Sequence, residues 1–304
     1  MIEKYIGIGE SSEFATFHPV VNFSYFCAVI AVAMFSMNPL FLAITFVTGF
    51  MYSAVLGGAK TVKANMMIAI PVIVITMIIN PIANHRGITV LFYINGNPFT
   101  LEAIIYGMAS ASMLVGVLMW FSCFNKIMTG DKIIYLFGRV IPVIALLLSM
   151  CFRFIPLLKA RFHEIHDGQK YMGRDFPKGS IIKKIRQLGK EISILIAWSL
   201  EASIETADSM EARGYGLKGR TSFHIFKFSK RDRNLMIIIG ILTAVVIGGC
   251  VMHANTMYYY PAITMVASWK IIIPAAVCYF VLLILPMIID IKGEQRWQKL
   301  SLEM

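Results

Sequence analysis

Few side chains in this sequence have the type and spacing to do chemistry, and each group implies a different kind. His163-Glu164-Ile165-His166 sets two imidazoles three residues apart. A zinc-protease helix needs histidines at i and i+4 with glutamate after the first. The i, i+3 pair still shares a helix face, but no third ligand accompanies it, so a solvated helix face is the favoured reading. Glu201, Glu205 and Asp208 form an acidic stripe at helical spacing. Met210-Glu211-Ala212-Arg213-Gly214-Tyr215-Gly216 sets one arginine against glycines that mark a helix end. A guanidinium held there suits the negative end of the helix dipole and a fixed contact with a partner's carboxylate. No GxxxxGK[ST] loop occurs, so the chain does not itself hydrolyse ATP by that chemistry, and no nucleophile elbow or paired intramembrane carboxylates occur either. The 20 methionines form no repeated close pairs and read as packing. Cys27, Cys123, Cys151, Cys250 and Cys278 are scattered and read as reduced thiols. No catalytic residue, metal site or cofactor is expected.

The elements that carry these residues follow from composition. Of 304 residues, 58% are hydrophobic and only 15% charged, which excludes a disordered chain, a small disulfide scaffold and an ordinary cytosolic enzyme. The net charge is nevertheless +11. Asn125 to Arg233 holds 20 of the 28 basic and 10 of the 17 acidic residues, so the charge sits in one insert of a membrane protein. Met1 to His18, with Glu3, Glu10, Glu13 and only Lys4, is not expected to be a signal peptide.

Uncharged runs near bilayer length predict about six spans: Val20 to Met37, Leu40 to Leu56, Asn65 to Ile82, Ala103 to Cys123, Leu235 to Met252 and Ile271 to Ile289. Asn38-Pro39 hinges the first two. Lys60 and Lys63 place the loop between the second and third spans in the cytoplasm, and Arg86 is the sole formal positive charge of the loop outside. Both termini are then cytoplasmic, the C-terminal one carrying Lys292, Arg296 and Lys299. Val140 to Met150 is apolar but about half the length of a span, and reads as a helix at the membrane surface or packed beneath the other helices. Tyr258-Tyr259-Tyr260 and Trp269 read as interfacial anchors. Gly107, Ser110, Ser112 and Gly116 offer a face for a helix–helix contact. The spans are almost free of ionisable residues, which argues against an ion-coupled secondary transporter.

The expected fold is an all-α integral membrane protein with three parts: four membrane helices in 1–123, a cytoplasmic helical domain in 124–233, and the last membrane helices and tail in 234–304. Within the insert, Ile141 to Tyr171 reads as a helix with a kink near Pro156, and the chain breaks at Gly173-Arg174-Asp175-Phe176-Pro177. Ser180 is a plausible N-cap for the helix that resumes, whose first turns carry Lys183, Lys184, Arg186 and Lys190. Ile192, Ile196, Leu200, Ile204 and Ala207 then recur at helical spacing. The insert could enforce topology, bind anionic lipid or dock a soluble partner.

Ser209-Met210-Glu211-Ala212-Arg213-Gly214-Tyr215 resembles the second Ala-Arg-Gly motif of the transmembrane (T) component of energy-coupling factor (ECF) transporters, the EcfT/CbiQ-like family. Leu148-Ser149-Met150-Cys151-Phe152-Arg153-Phe154-Ile155-Pro156-Leu157-Leu158, Asn38-Pro39-Leu40 and Thr100-Leu101-Glu102 also fit, over roughly Phe17 to Asp232. The resemblance implies a non-catalytic coupling subunit of a bacterial or archaeal ABC-type importer for a vitamin or transition-metal ion. Its partners would be two ABC-type ATPase subunits, which bind the ATP, and a small substrate-binding S component in the bilayer, with no nucleic acid. Coupling helices and membrane helices would pass ATP-driven motion to the S component. Arg213 would dock an ATPase, with Glu211, Ala212 and Gly214 around it. The first motif departs from the family's Gln-Lys-Ala-Arg-Gly, since this chain reads Gln169-Lys170-Tyr171-Met172-Gly173-Arg174-Asp175. Without a gap, Met172 falls on the arginine; Arg174, between Gly173 and Asp175, is the nearest guanidinium and takes the docking role. The last span departs from many family members. Alternatives are a substrate-translocating permease of a conventional ABC transporter and, in another class, a polytopic membrane enzyme.

Overall fold

The computed structural model of the chain describes residues 12–84, 87–94, 97–138, 141–173, 181–215, 217 and 226–303. Local signals start the helices. His18 caps α1 (Pro19–Phe35), its Nδ1 accepting from the Val20 N–H at 3.3 Å, and Pro19 takes the first position, where no N–H is needed. Asn38 caps α2 (Pro39–Ala83) in the same way, accepting from the Leu40 N–H at 3.0 Å. Inside α2, Gly58 has φ 64° and ψ −169°, a conformation open to glycine and little else, and there the expected second and third spans meet. Lys60 and Lys63 were expected in a loop; they lie instead in the helix beyond this break, because one glycine redirects the chain without a loop.

A hairpin, β1 (Val90–Ile94) with β2 (Asn97–Thr100), leads into α3 (Leu101–Ile127). Glu102 in the first turn of α3 is buried and accepts from the Thr89 N–H at 3.1 Å, tying the hairpin to the helix. Then follow α4 (Gly130–Gly138), α5 (Pro142–Tyr171), α6 (Ile181–Ala212), α7 (Lys230–Val251), the hairpin β3 (Met257–Tyr258) with β4 (Thr264–Met265), and α8 (Trp269–Glu303). Each expected span falls on a helix, and among the described residues the fold is all-α apart from these two hairpins. Arg86, Arg174, Asp175 and Ser180 lie outside the described residues.

The chain forms two compact units, one of Met1–Thr129 with Phe226–Met304 and one of Gly130–Ile225. In the first, Tyr25, Phe26, Tyr52, Trp120, Tyr279 and Leu282 are fully buried in one core. Helices in a bilayer associate through close packing and hydrogen bonds, because lipid tails are as apolar as leucine. Both are present here. Tyr279 OH and Thr45 Oγ1 lie 2.9 Å apart, and Trp120 Nε1 donates to the Thr45 carbonyl at 3.3 Å. A Cβ on Gly116 would stand 3.0 Å from Thr45 Cγ2, and one on Gly107 3.2 Å from Asn80 Cβ. These two small residues are therefore occupied within the chain, against α2. The last helix is no appendage: α8 supplies Ile272, Ala276, Tyr279, Leu282 and Leu283 to the core.

Long-range hydrogen bonds close this unit at two places. The Met37 and Asn38 N–H groups both donate to the Asn255 carbonyl at 2.9 Å, Asn255 Nδ2 donates to the Phe35 carbonyl at 2.8 Å, and Tyr259 OH donates to the Met37 carbonyl at 2.7 Å. Tyr259 is thus a buried clasp and not an interfacial anchor, and burial pushes its hydroxyl up to about 12. Elsewhere, Asp290 accepts from Ser12 Oγ at 2.8 Å, the Phe14 N–H at 2.7 Å and Tyr52 OH at 3.2 Å. Asp232 accepts from the His18 N–H at 3.0 Å and, with Ser229, forms the capping box that starts α7.

The second unit holds α4, α5 and α6. Five helices among the described residues are long and apolar enough to cross a membrane, and Val143–Tyr171 is one of them; Pro19–Phe35 is a shorter apolar helix. The helix expected from Ile141 to Tyr171 forms as α5, which carries the apolar stretch before Met150 on past Arg153 and Pro156. Its apolar side chains Val143, Leu147, Phe152 and Ile155 are exposed within the unit.

Candidate docking site at two helix ends

Helices α5 and α6 run past each other in opposite directions. His166 Nδ1 on α5 lies 3.2 Å from Glu191 Oε2 on α6, whose other oxygen accepts from Gln187 Nε2 at 3.4 Å. The Arg161 guanidinium sits 4.9 Å above the Trp198 ring. His166 of the His163-Glu164-Ile165-His166 segment therefore serves the helix crossing. Among the described residues no group of three or more His, Cys, Asp or Glu could hold a metal ion.

Both helices end on a left-handed glycine. At the end of α6, Gly214 has φ 78°, its N–H donates to the Glu211 carbonyl at 2.9 Å, and the Tyr215 N–H donates to the Met210 carbonyl at 3.0 Å. This is the Schellman closure that a left-handed glycine permits. At the end of α5, Gly173 has φ 72° and its N–H donates to the Lys170 carbonyl at 3.0 Å. The residue just before each glycine is Arg213 in one case and Met172 in the other. Arg213, Glu211 and Ala212 are exposed, and neither Arg213 nor Glu211 has an ion-pair partner among the described residues. Met172 is 69% and Tyr171 89% exposed, so the first end presents an apolar knob where the second presents a guanidinium.

The two ends are far apart. Arg213 borders a groove of roughly 670 Å³ together with Met150 and Arg153 of α5, about 22 residues or roughly 33 Å of helix from Met172. Glu205 and Trp198 line the same groove. Arg153, which in the sequence only flanks an apolar run, thus lines the same groove as Arg213. No spacing in the sequence signals this shared groove, since it exists only once α5 and α6 cross.

A family model described as cobalt transport protein, CbiQ, matches residues 14–225. The chain belongs to this family. The CbiQ match takes in both glycine-capped ends and stops before α7 and α8. Among curated relatives, the energy-coupling factor transporter transmembrane protein EcfT of Lactobacillus helveticus is 32% identical over 116 residues, which is 36% of this chain and 42% of the relative. EcfT of Lactococcus lactis subsp. cremoris is 36% identical over 110 residues, 35% of this chain and 41% of the relative. EcfT of Streptococcus thermophilus is 38% identical over 97 residues, 32% of this chain and 37% of the relative. The chain spans about two fifths of the length of the curated relatives it matches.

Proposed function

We propose that this CbiQ-family chain is the T component of an ECF-type ABC importer. It couples two ATPase subunits to a substrate-binding S component and catalyses nothing itself, the ATP being held by the ATPases. The observation that carries this reading is the pair of glycine-capped helix ends, both inside the family match, one of them presenting an exposed Arg213 with no ion-pair partner among the described residues. A guanidinium at a helix terminus is pre-aimed, and a partner's carboxylate would engage it in a charge-assisted, two-pronged contact. The separation of the two ends suits two separate ATPase subunits, one at each. Arg174 remains the guanidinium proposed for the first end.

The chain resides in the cytoplasmic membrane of a bacterium or archaeon, with both termini and the α4–α6 unit on the cytoplasmic side. Grouping of α5 with α4 and α6 supports keeping it out of the bilayer count, which preserves that topology. The S component seats on membrane helices and on exposed apolar positions of the coupling unit such as Leu200 and Ile204, and selects a vitamin or a transition-metal ion.

Co-purification from native membranes tests this. Two ATPase chains and one small hydrophobic protein should accompany the chain, and Arg213→Glu with Arg174→Glu should strip the ATPases while membrane insertion persists. Undiminished ATPase retention or uptake in that double variant would sink the docking role. Direct binding of substrate by this chain alone would favour a conventional permease instead.

A further inference from the structure

Helix α6 carries a surface that ATPase docking leaves unused. Ile181, Ile182, Ile185, Ile192 and Ile196 are all 47–73% exposed. At about 3.6 residues per turn they fall within an arc of about 100°. The neighbouring helix packs on another face, through Glu191 and Trp198, so this arc stays open. Lys184 and Arg186 stand on either side of the arc, and Lys190 lies on the face away from it. The sign of the charge then reverses. No basic residue follows Lys190 until Arg213, and Glu201, Glu205, Asp208 and Glu211 hold the polar face of the second half.

We propose that the first half of α6, Ile181 to Ile196, lies on an anionic bilayer surface, its isoleucines among the acyl chains and Lys184 and Arg186 at the headgroups. A helix with one apolar face flanked by cations is the form that rests in a lipid interface. Anionic headgroups strengthen such binding by roughly fivefold for each Lys or Arg near the surface. The acidic second half is repelled by the same surface, so the contact ends before Glu201. The unit is joined covalently at both ends to membrane helices, α3 and α7, so the surface is always within reach. This contact requires no partner subunit.

Hydrogen exchange on the full chain in lipid nanodiscs tests it, comparing phosphatidylcholine alone with discs containing about 30% phosphatidylglycerol. Amides of residues 181–196 should exchange at least about tenfold more slowly in the anionic discs, while those of 197–212 keep their rate. High salt should erase the difference on the unaltered protein, and Lys184→Gln with Arg186→Gln should erase it at low salt. Equal rates in the two lipids overturn the proposal. So does slowing that appears only when co-purified membrane subunits are added and is the same in both lipids, since the occupant of the arc is then a protein.

Discussion

Met172 and Arg213 occupy the same position at the ends of two different helices, each standing directly before a glycine whose φ is positive, 72° at Gly173 and 78° at Gly214. The backbones match and the side chains do not: one is an exposed thioether, the other an exposed cation. Contacts made through these two side chains must therefore differ in their physics.

That difference sets the first prediction. Arg213→Ala should weaken ATPase retention by about 2–5 kcal/mol, the usual penalty for truncating one partner of a buried charge pair. Raising the salt should weaken the unaltered complex in the same direction. Met172→Ala should cost about 1–3 kcal/mol through lost apolar burial, and that loss should be insensitive to salt. Retention assays at low and high salt separate the two; equal salt dependence of the losses in Arg213→Ala and Met172→Ala would contradict the difference.

The capping glycines should respond unequally to alanine. At Gly173 an added Cβ meets nothing within 4 Å among the described residues, so Gly173→Ala carries the left-handed backbone penalty, about 1–2 kcal/mol. At Gly214 the same Cβ would lie 3.1 Å from Leu217 Cδ1, so Gly214→Ala adds crowding to that penalty and turns Arg213 off its aim. Circular dichroism melts should rank Gly214→Ala below Gly173→Ala, and only the former should reduce an Arg213-dependent interaction.

Asp290 gathers three donors, two of them from the N-terminal segment and one from α2. Asp290→Ala leaves those donors buried and unpaired, at about 1–3 kcal/mol for a donor left so. Thermal stability in detergent should fall by that order, and protease should cut first near Ser12 to Phe17. Asp290→Asn keeps an acceptor oxygen and should lose less.

Lys132, on α4, is buried, and that burial pulls its ammonium down to about 8. The folded chain then binds fewer protons than the unfolded chain between about pH 8 and the ordinary lysine value of about 10.4. Stability should rise with pH across that window and decline as pH falls back through about 8. Lys132→Met should raise the melting temperature at pH 7 and flatten the rise above pH 8. A melting curve with the same alkaline rise in the variant would remove Lys132 as its source.

Much of this was legible because the signals are local. Asn38-Pro39 states a cap and a first helical residue, and the structure uses both. Arg213-Gly214 states a helix end, and φ at Gly214 bears it out. Gly57-Gly58 was less legible: two lysines nearby suggested a loop, whereas one glycine conformation suffices to break the helix. The tyrosine run before the last helix looked interfacial by composition, and Tyr259 proved to be a buried donor to Met37, 222 residues away.

By itself the sequence determined the helical membrane architecture, the separation of apolar mass from positive charge, and the arginine at the end of α6. These rest on periodicity, composition and residues a few positions apart, which a linear chain displays directly. Tertiary structure alone decided that α8 belongs to the core, that Arg153 lines the same groove as Arg213, and that Asp290 holds Ser12 from 278 positions away. A side chain's long-range partner depends on how helices cross, and helix crossings are set by the packing of whole faces, which no short stretch of residues contains.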